Sequence, residues 1–266
     1  MGRAMAEALI AMGKSVIIVG LTEAGLKKTA AEIGAKAYFV LDVSNISAIS
    51  GFVRDVLSQH PELDCVINNA GVQKPFQILG PDYGFDLKTA DQEIDTNIRG
   101  PLHLSVCLVP HFNSLPNGGV IMNVSSVLGY NPVSLINPIY NGTKEWVHFF
   151  TMNLSRNFAR PVARSRLWRS CLQLLKRVFI GTAKNPEDNK KSGGNSSALS
   201  IPEFIKQVKE GWQNDQDICT AGLGHDLVEN GTGRTERLTL KQEDECCMQR
   251  PLALKPQPIL DSQVLP

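Results

Sequence analysis

Apolar positions along this chain switch between two periods. Short, nearly continuous apolar runs at Ser15 to Gly20, Ala37 to Leu41, Leu63 to Ile67 and Gly119 to Val124 read as strands buried on both faces. Between them lie longer stretches rich in helix formers: residues 3–12, which stop at Gly13, then 22–33, 46–60, a long stretch around 88–114, and 139–159. Strand and helix alternate, which predicts a parallel sheet covered on both faces, and the right-handed crossover rule makes it a doubly wound α/β sheet. Farther on, Ala198 to Trp212 reads as a capped amphipathic helix, with Ser200 as N-cap, Pro202 in the first turn and Glu203 completing a capping box.

Two stretches interrupt this regularity. Residues 160–177 carry many cations, no acids and no strand alternation. They read either as a departure from the α/β pattern or as a basic helix lying on a membrane surface. Residues 184–197, with clustered Asn, Lys, Gly and Ser, read as a mobile loop, and the polar, aperiodic, Pro-spaced stretch 230–266 as a disordered tail. The expected organisation is one folded domain over 1–229 followed by that tail.

Composition narrows the function classes. At 266 residues, with 42% hydrophobic and 20% charged positions, the chain can bury a full core. A formal net charge of +1 supplies no general drive toward nucleic acid or anionic membrane. The six cysteines show no Cys-x-x-Cys spacing and the five histidines no ligand pattern, so no metal site is expected, and the compartment is read as reducing. Arg3, Glu7 and Lys14 interrupt any secretory signal, and no run reaches the ~20 apolar residues of a spanning helix. A cytoplasmic protein that does not engage membranes is the expectation.

The candidate chemistry centres on Tyr140-Asn-Gly-Thr-Lys144. Positions i and i+4 share a helix face, and an ammonium beside a phenol favours the phenolate, which makes tyrosine usable for proton transfer. Alone, the pair is an ordinary helix surface motif. Upstream, however, stand Asn123-Val-Ser-Ser126, Asn68-Asn-Ala-Gly71 and Asp95-Thr-Asn97. With these motifs in this order, the chain resembles the short-chain dehydrogenase/reductase family. The resemblance is strong over residues 2–159 and weaker over 178–229.

That resemblance implies a Rossmann-like fold and a set of roles. Tyr140 would be the general acid in reduction and the base in oxidation, while Lys144 would lower its pKa and bond the nicotinamide ribose. Ser126, with Ser125 as its rival, would hold the carbonyl oxygen. Asn97 would kink its helix and hold a proton-relaying water. Asn69, Ala70 and Gly71 would border the adenosine half of the cofactor, Asp42 would accept from the adenine amino group, and Thr182 would reach the nicotinamide amide. Gly2 corresponds to the last glycine of a Thr-Gly-x-x-x-Gly-x-Gly element, so the family's first strand and most of its glycine-rich turn are missing from this sequence.

At the end of the second strand of the family pattern, Gly20, Leu21 and Thr22 offer no carboxylate, which points mildly to NADP over NAD. Arg3 is either a cation for the 2′-phosphate or a solvated helix residue. The implied activity is hydride transfer between NAD(P)(H) and a small-molecule carbonyl or secondary alcohol, in a homo-oligomer formed through the helices at 88–114 and 139–159. The alternative is a catalytically inactive relative that acts as a partner without cofactor.

Overall fold

The computed structural model describes residues 1–76, 84, 86–130, 137–158, 169–175, 199–214, 216 and 218–222. Thr182, the 184–197 loop and the 230–266 tail lie outside the described residues.

Strands and helices alternate. Helix α1 (Gly2–Ala11) leads to β1 (Ile17–Gly20), α2 (Glu23–Ile33), β2 (Ala37–Val40), α3 (Ile46–Gln59) and β3 (Cys65–Asn68). Then follow α4 (Leu87–Ile94), a π-helical turn (Asp95–Arg99), α5 (Gly100–Ser114), β4 (Val120–Ser126) and a short 3₁₀ turn (Val127–Gly129). Last come α6 (Pro138–Phe158), β5 (Arg169–Leu175), α7 (Ile201–Gln213) and β6 (Ile218–Cys219). Local chemistry explains several boundaries. Asp86 caps α4 by accepting from the Lys88 N–H, Gly34 ends α2 in the left-handed conformation, and Ser200 with Glu203 forms the expected capping box on α7.

All the described strand pairs are parallel, but they form two sheets: β1 with β2, and β3-β4-β5-β6. A doubly wound sheet has the order 3-2-1-4-5-6. Within each sheet the described strands keep to such an order, β2 beside β1, and β3, β4 and β5 in sequence with β6 beyond. Gly2, at the start of α1, lies against Asn69 just past β3, and the far end of α1 feeds β1.

The core is divided by the larger sheet. One cluster joins Ile49 and Val53 of α3, Leu104, Leu108 and Phe112 of α5, Ile121 of β4, and Leu41. On the other side, Met5 of α1 and Val124 of β4 meet Phe204 and Val208 of α7 and Ala221. Where β3 and β4 lie in register, Asn68 stands opposite Asn123. Asn68 donates to the Asn123 Oδ1 at 2.8 Å, and Asn123 donates to the Thr151 hydroxyl at 2.9 Å, so these buried amides tie two strands to α6.

One reading changes. Residues 160–177 were expected to hold no strand, yet 169–175 form β5, paired with β4 over seven residues in the middle of the larger sheet. Strand alternation was the wrong test, since strands of parallel sheets read as apolar runs rather than as alternating patterns. The long helix read across 88–114 is also interrupted, by the π turn at Asp95–Arg99.

Candidate active site

Helix α6 runs across the end of β4 and carries the central pair. Lys144 and Tyr140 share a face as their spacing requires, with the ammonium 5.6 Å from the centre of the phenol ring. Lys144 is buried, and its Nζ donates to the Val124 carbonyl at 2.9 Å. Burial pushes its pKa down to about 8, an effect that the negative charge of Glu93 opposes. Tyr140 is buried as well.

The approach of β4 to α6 is very close at this level. A side-chain carbon added at Gly129 would sit 2.7 Å from the backbone of Lys144 and Glu145, so only glycine lets the 3₁₀ turn rest on the helix there. The two serines at the end of β4 are both fully buried. Ser125 gives its hydroxyl proton to the Lys144 carbonyl at 2.7 Å, anchoring strand to helix. Ser126 caps the 3₁₀ turn, accepting from the Leu128 N–H at 3.2 Å. Of the two serines that the sequence left as rivals, Ser125 is thus bonded to α6 and Ser126 to the turn that follows β4.

Asn97 sits in the π turn, which widens the helix where its amide must reach sideways. The amide makes a two-way bond with Val72: the Val72 N–H donates to Oδ1 at 2.9 Å, and Nδ2 donates to the Val72 carbonyl at 2.9 Å. Nδ2 also donates to the Thr143 hydroxyl at 3.1 Å, joining the π turn to α6 beside Lys144. A side-chain carbon at Gly71 would lie 3.3 Å from both Asn97 Oδ1 and Lys144 Nζ, so residue 71 meets the same point. Asn97, Gly71, Tyr140 and Lys144, far apart in sequence, are thus brought together.

The remaining residues read as cofactor-binding lie at the carboxyl ends of β2 and β3. Asn69 packs against Gly2, where an added carbon would come within 2.7 Å of its Nδ2, and Ala70 follows it. The first turn of α1 has no side-chain cap, which leaves its leading N–H groups without a side-chain acceptor. Asp42 is exposed and accepts from both the N–H and the hydroxyl of Ser44, at 2.9 and 2.7 Å, in the turn before α3. Arg3 pairs with Glu7 at 2.9 Å and Glu32 at 2.6 Å.

Several residues here escaped the sequence reading. Thr143 bridges Asn97 to the Tyr140 carbonyl. Glu93, one turn before Asn97, is buried and accepts from the Lys74 N–H at 3.0 Å. Tyr130 meets His148 Nδ1 at 2.6 Å, and burial lowers His148 to about 4 while raising the Tyr130 hydroxyl. A carboxylate four residues from a motif asparagine on a helix was the one available signal for Glu93. Beside the pair lies a cavity of about 250 Å³ lined by Lys74, Pro75, Phe76, Thr89, Glu93 and Ile139, among others.

Comparison with known proteins agrees with this geometry. Residues 1–163 match the family model described as short chain dehydrogenase. The chain belongs to that family. An uncharacterized oxidoreductase, DltE, of Bacillus subtilis is 28% identical over 229 residues, spanning 84% of this chain and 85% of that protein. One of Staphylococcus epidermidis is 32% identical over 160 residues, spanning 60% and 67% respectively.

Among solved structures, the bulky-bulky ketone specific alcohol dehydrogenase of Comamonas testosteroni superposes with a TM-score of 0.65 at 17% identity, covering 96% of this chain and 92% of that one. A short-chain dehydrogenase of Sphingobium yanoikuyae, solved with NADPH, gives 0.65 at 17% identity, covering 96% and 94%. These likenesses establish the α/β fold. The family is one of oxidoreductases. Among the described residues, no helix is long and apolar enough to cross a membrane, and no cluster of side chains could hold a metal ion.

Proposed function

We propose that this oxidoreductase transfers a hydride between a nicotinamide dinucleotide and a small-molecule carbonyl or secondary alcohol. The convergence of Tyr140, Lys144, Asn97 and Ser126 on one end of β4 carries this reading. Tyr140 gives a proton to the developing alkoxide in reduction and takes it back in oxidation. Lys144 holds a positive charge beside the phenol ring, Ser126 holds the substrate oxygen, and Asn97 fixes the loop at Val72 while linking it to α6.

The fit to a dinucleotide is supported by the close seat of Gly2 on Asn69, by the uncapped start of α1, and by the meeting of Gly71 with Lys144. Gly2, Asn69, Ala70, Gly71 and Asp42 would hold the adenosine and phosphate side, with Lys144, Tyr140 and Thr182 at the nicotinamide. When bound, the cofactor supplies the hydride chemistry. A similar fold solved with NADPH favours the same class of cofactor. With Arg3 engaged by Glu7 and Glu32, the slight preference for NADP rests on the absence of a carboxylate at Gly20, Leu21 and Thr22.

Calorimetric titration with NADPH and NADH, followed by turnover of Tyr140→Phe, tests this reading. Nucleotide affinity unchanged in the variant, with turnover reduced about 10²- to 10⁴-fold, is the expected result. Turnover that survives the substitution would remove Tyr140 from the chemistry.

The alternative reading is a relative that does not bind cofactor and acts through partners. A folded chain that takes up neither nucleotide would select it. Self-association through α5 and α6, which expose Val106 and Phe149, fits both readings and is measured by sedimentation.

A further inference from the structure

Glu93 is almost completely buried, at 1% exposure, and sits on α4 where that helix packs against α6. Carboxylates rarely occupy such places without partners, because an uncompensated buried charge is costly. Its Oε2 accepts from the Lys74 N–H at 3.0 Å, while its Oε1 has no hydrogen-bond partner among the described residues. One turn later Asn97 bonds both backbone groups of Val72. The two side chains thus hold alternate residues of the segment that leads from Gly71 into the cavity wall at Lys74, Pro75 and Phe76.

Lys144 has the complementary problem. Its ammonium is buried and bonded to a neutral carbonyl, and among the described residues no carboxylate forms an ion pair with it. The through-space charge that favours its protonated form is that of Glu93.

We propose that Glu93 is a positioning residue of this site: it fastens the chain at Lys74 as Asn97 fastens it at Val72, and it sets a buried carboxylate on α4 where that helix packs against α6, the helix that carries the buried Lys144. The role deepens the dehydrogenase reading and rests on it for any effect on turnover.

Other charged groups nearby do not duplicate this function. Asp86, on the cavity wall, is turned to its own helix by bonds from Lys88 and Thr89. The Lys74 ammonium also acts on Glu93, favouring its ionised form. On α6, the Tyr140 ring lies against Lys144, and His148, bonded to Tyr130, stays neutral above about pH 4.

The test uses the full chain without cofactor, so its failure is distinguishable from failure of the dehydrogenase reading. Protein labelled with ¹³C at Glu Cδ and Lys Cε is titrated by NMR. The expected result is a glutamate midpoint near about 7 that vanishes in Glu93→Gln, and a lysine midpoint near about 8 that vanishes in Lys144→Met. In Glu93→Gln the Lys144 midpoint falls by about one pH unit, and in Lys144→Met the Glu93 midpoint rises. Glutamine keeps an acceptor for Lys74, so amide exchange at Lys74 is unchanged in Glu93→Gln but at least about tenfold faster in Glu93→Leu.

A Lys144 midpoint that does not move in Glu93→Gln, or a Lys74 amide indifferent to Glu93→Leu, overturns the proposal. Should the variants fail to fold, the wild-type lysine signal still decides, since it must inflect at the Glu93 midpoint and a single unperturbed step overturns the coupling. Where turnover is measurable, Glu93→Gln moves the alkaline limb of kcat/KM to lower pH.

Discussion

The β1–β2 pair and the β3–β6 sheet are built from similar apolar runs and are buried very differently. In β1 and β2, Val19 and Val40 remain 44% and 51% exposed, and the covering helix α2 buries no residue completely. In β4, Ile121 and Val124 are 1% and 3% exposed, and α5 and α6 each contribute fully enclosed side chains such as Phe112 and Val147. The difference lies in neighbours. Among the described residues, strand β4 has paired strands on both edges, whereas β1 pairs with β2 alone. An apolar strand is therefore half-buried or fully buried according to whether both edges and both faces are covered, whatever its own composition.

The largest separation between the halves comes from Phe112→Ala, which empties the centre of the α3–α5–β4 cluster and costs about 3–5 kcal/mol in urea denaturation. A smaller loss would show that the larger sheet collapses as readily as the exposed pair.

Next comes a pH effect confined to the well-buried half. His148 is held at about 4, against an ordinary 6.5, by burial. The unfolded chain then binds a proton that the folded chain refuses, so this stability is complete above about pH 6.5 and is lost as pH falls toward about 4, on the order of 2 kcal/mol in all. Glu93 runs the other way: its midpoint is raised from 4.5 to about 7, so its contribution is full at low pH and is lost as pH rises through that window. Denaturation midpoints against pH should therefore show a weak net slope in the native protein. In Glu93→Gln a clear rise of stability from about pH 4.5 to 6.5 should replace it.

Gly129→Ala forces the 3₁₀ turn away from α6 at Lys144 and is expected to cost about 1–3 kcal/mol, with turnover lost ahead of the fold. Smallest of all, Val40→Ala should change stability by less than about 1 kcal/mol, because half of that side chain already meets water. A larger cost would mean that β2 gains cover in solution, for instance from a second copy of the chain, and sedimentation of the same samples would reveal it.

Much of the architecture was legible in the sequence because it rests on local periodicity. The strands at β1 through β4 follow from short apolar runs, and the capped helix α7 and the Tyr140–Lys144 face from spacings of three and four residues. Strand β5 was not legible, since its pairing partner lies some fifty residues upstream and its own sequence shows no alternation. The π turn at Asn97 was equally hidden, being a response to the bond that Asn97 makes with Val72. Glu93 was overlooked because a single acid in a helix looks solvated until its surroundings are known.

By itself, then, the sequence determined the alternation of elements, the pairing of a phenol with an ammonium on one helix face, and the family resemblance carried by Asn68–Gly71, Asn97, Ser126 and Tyr140–Lys144. Only the tertiary structure decided that Ser125 bonds α6 while Ser126 caps the turn, that among the described residues β1 and β2 pair apart from the larger sheet, and that Glu93 and Lys144 are both buried. The physical reason is range. Helix and strand periods act over a few residues, whereas burial, edge pairing and electrostatic coupling depend on which distant segments happen to be neighbours.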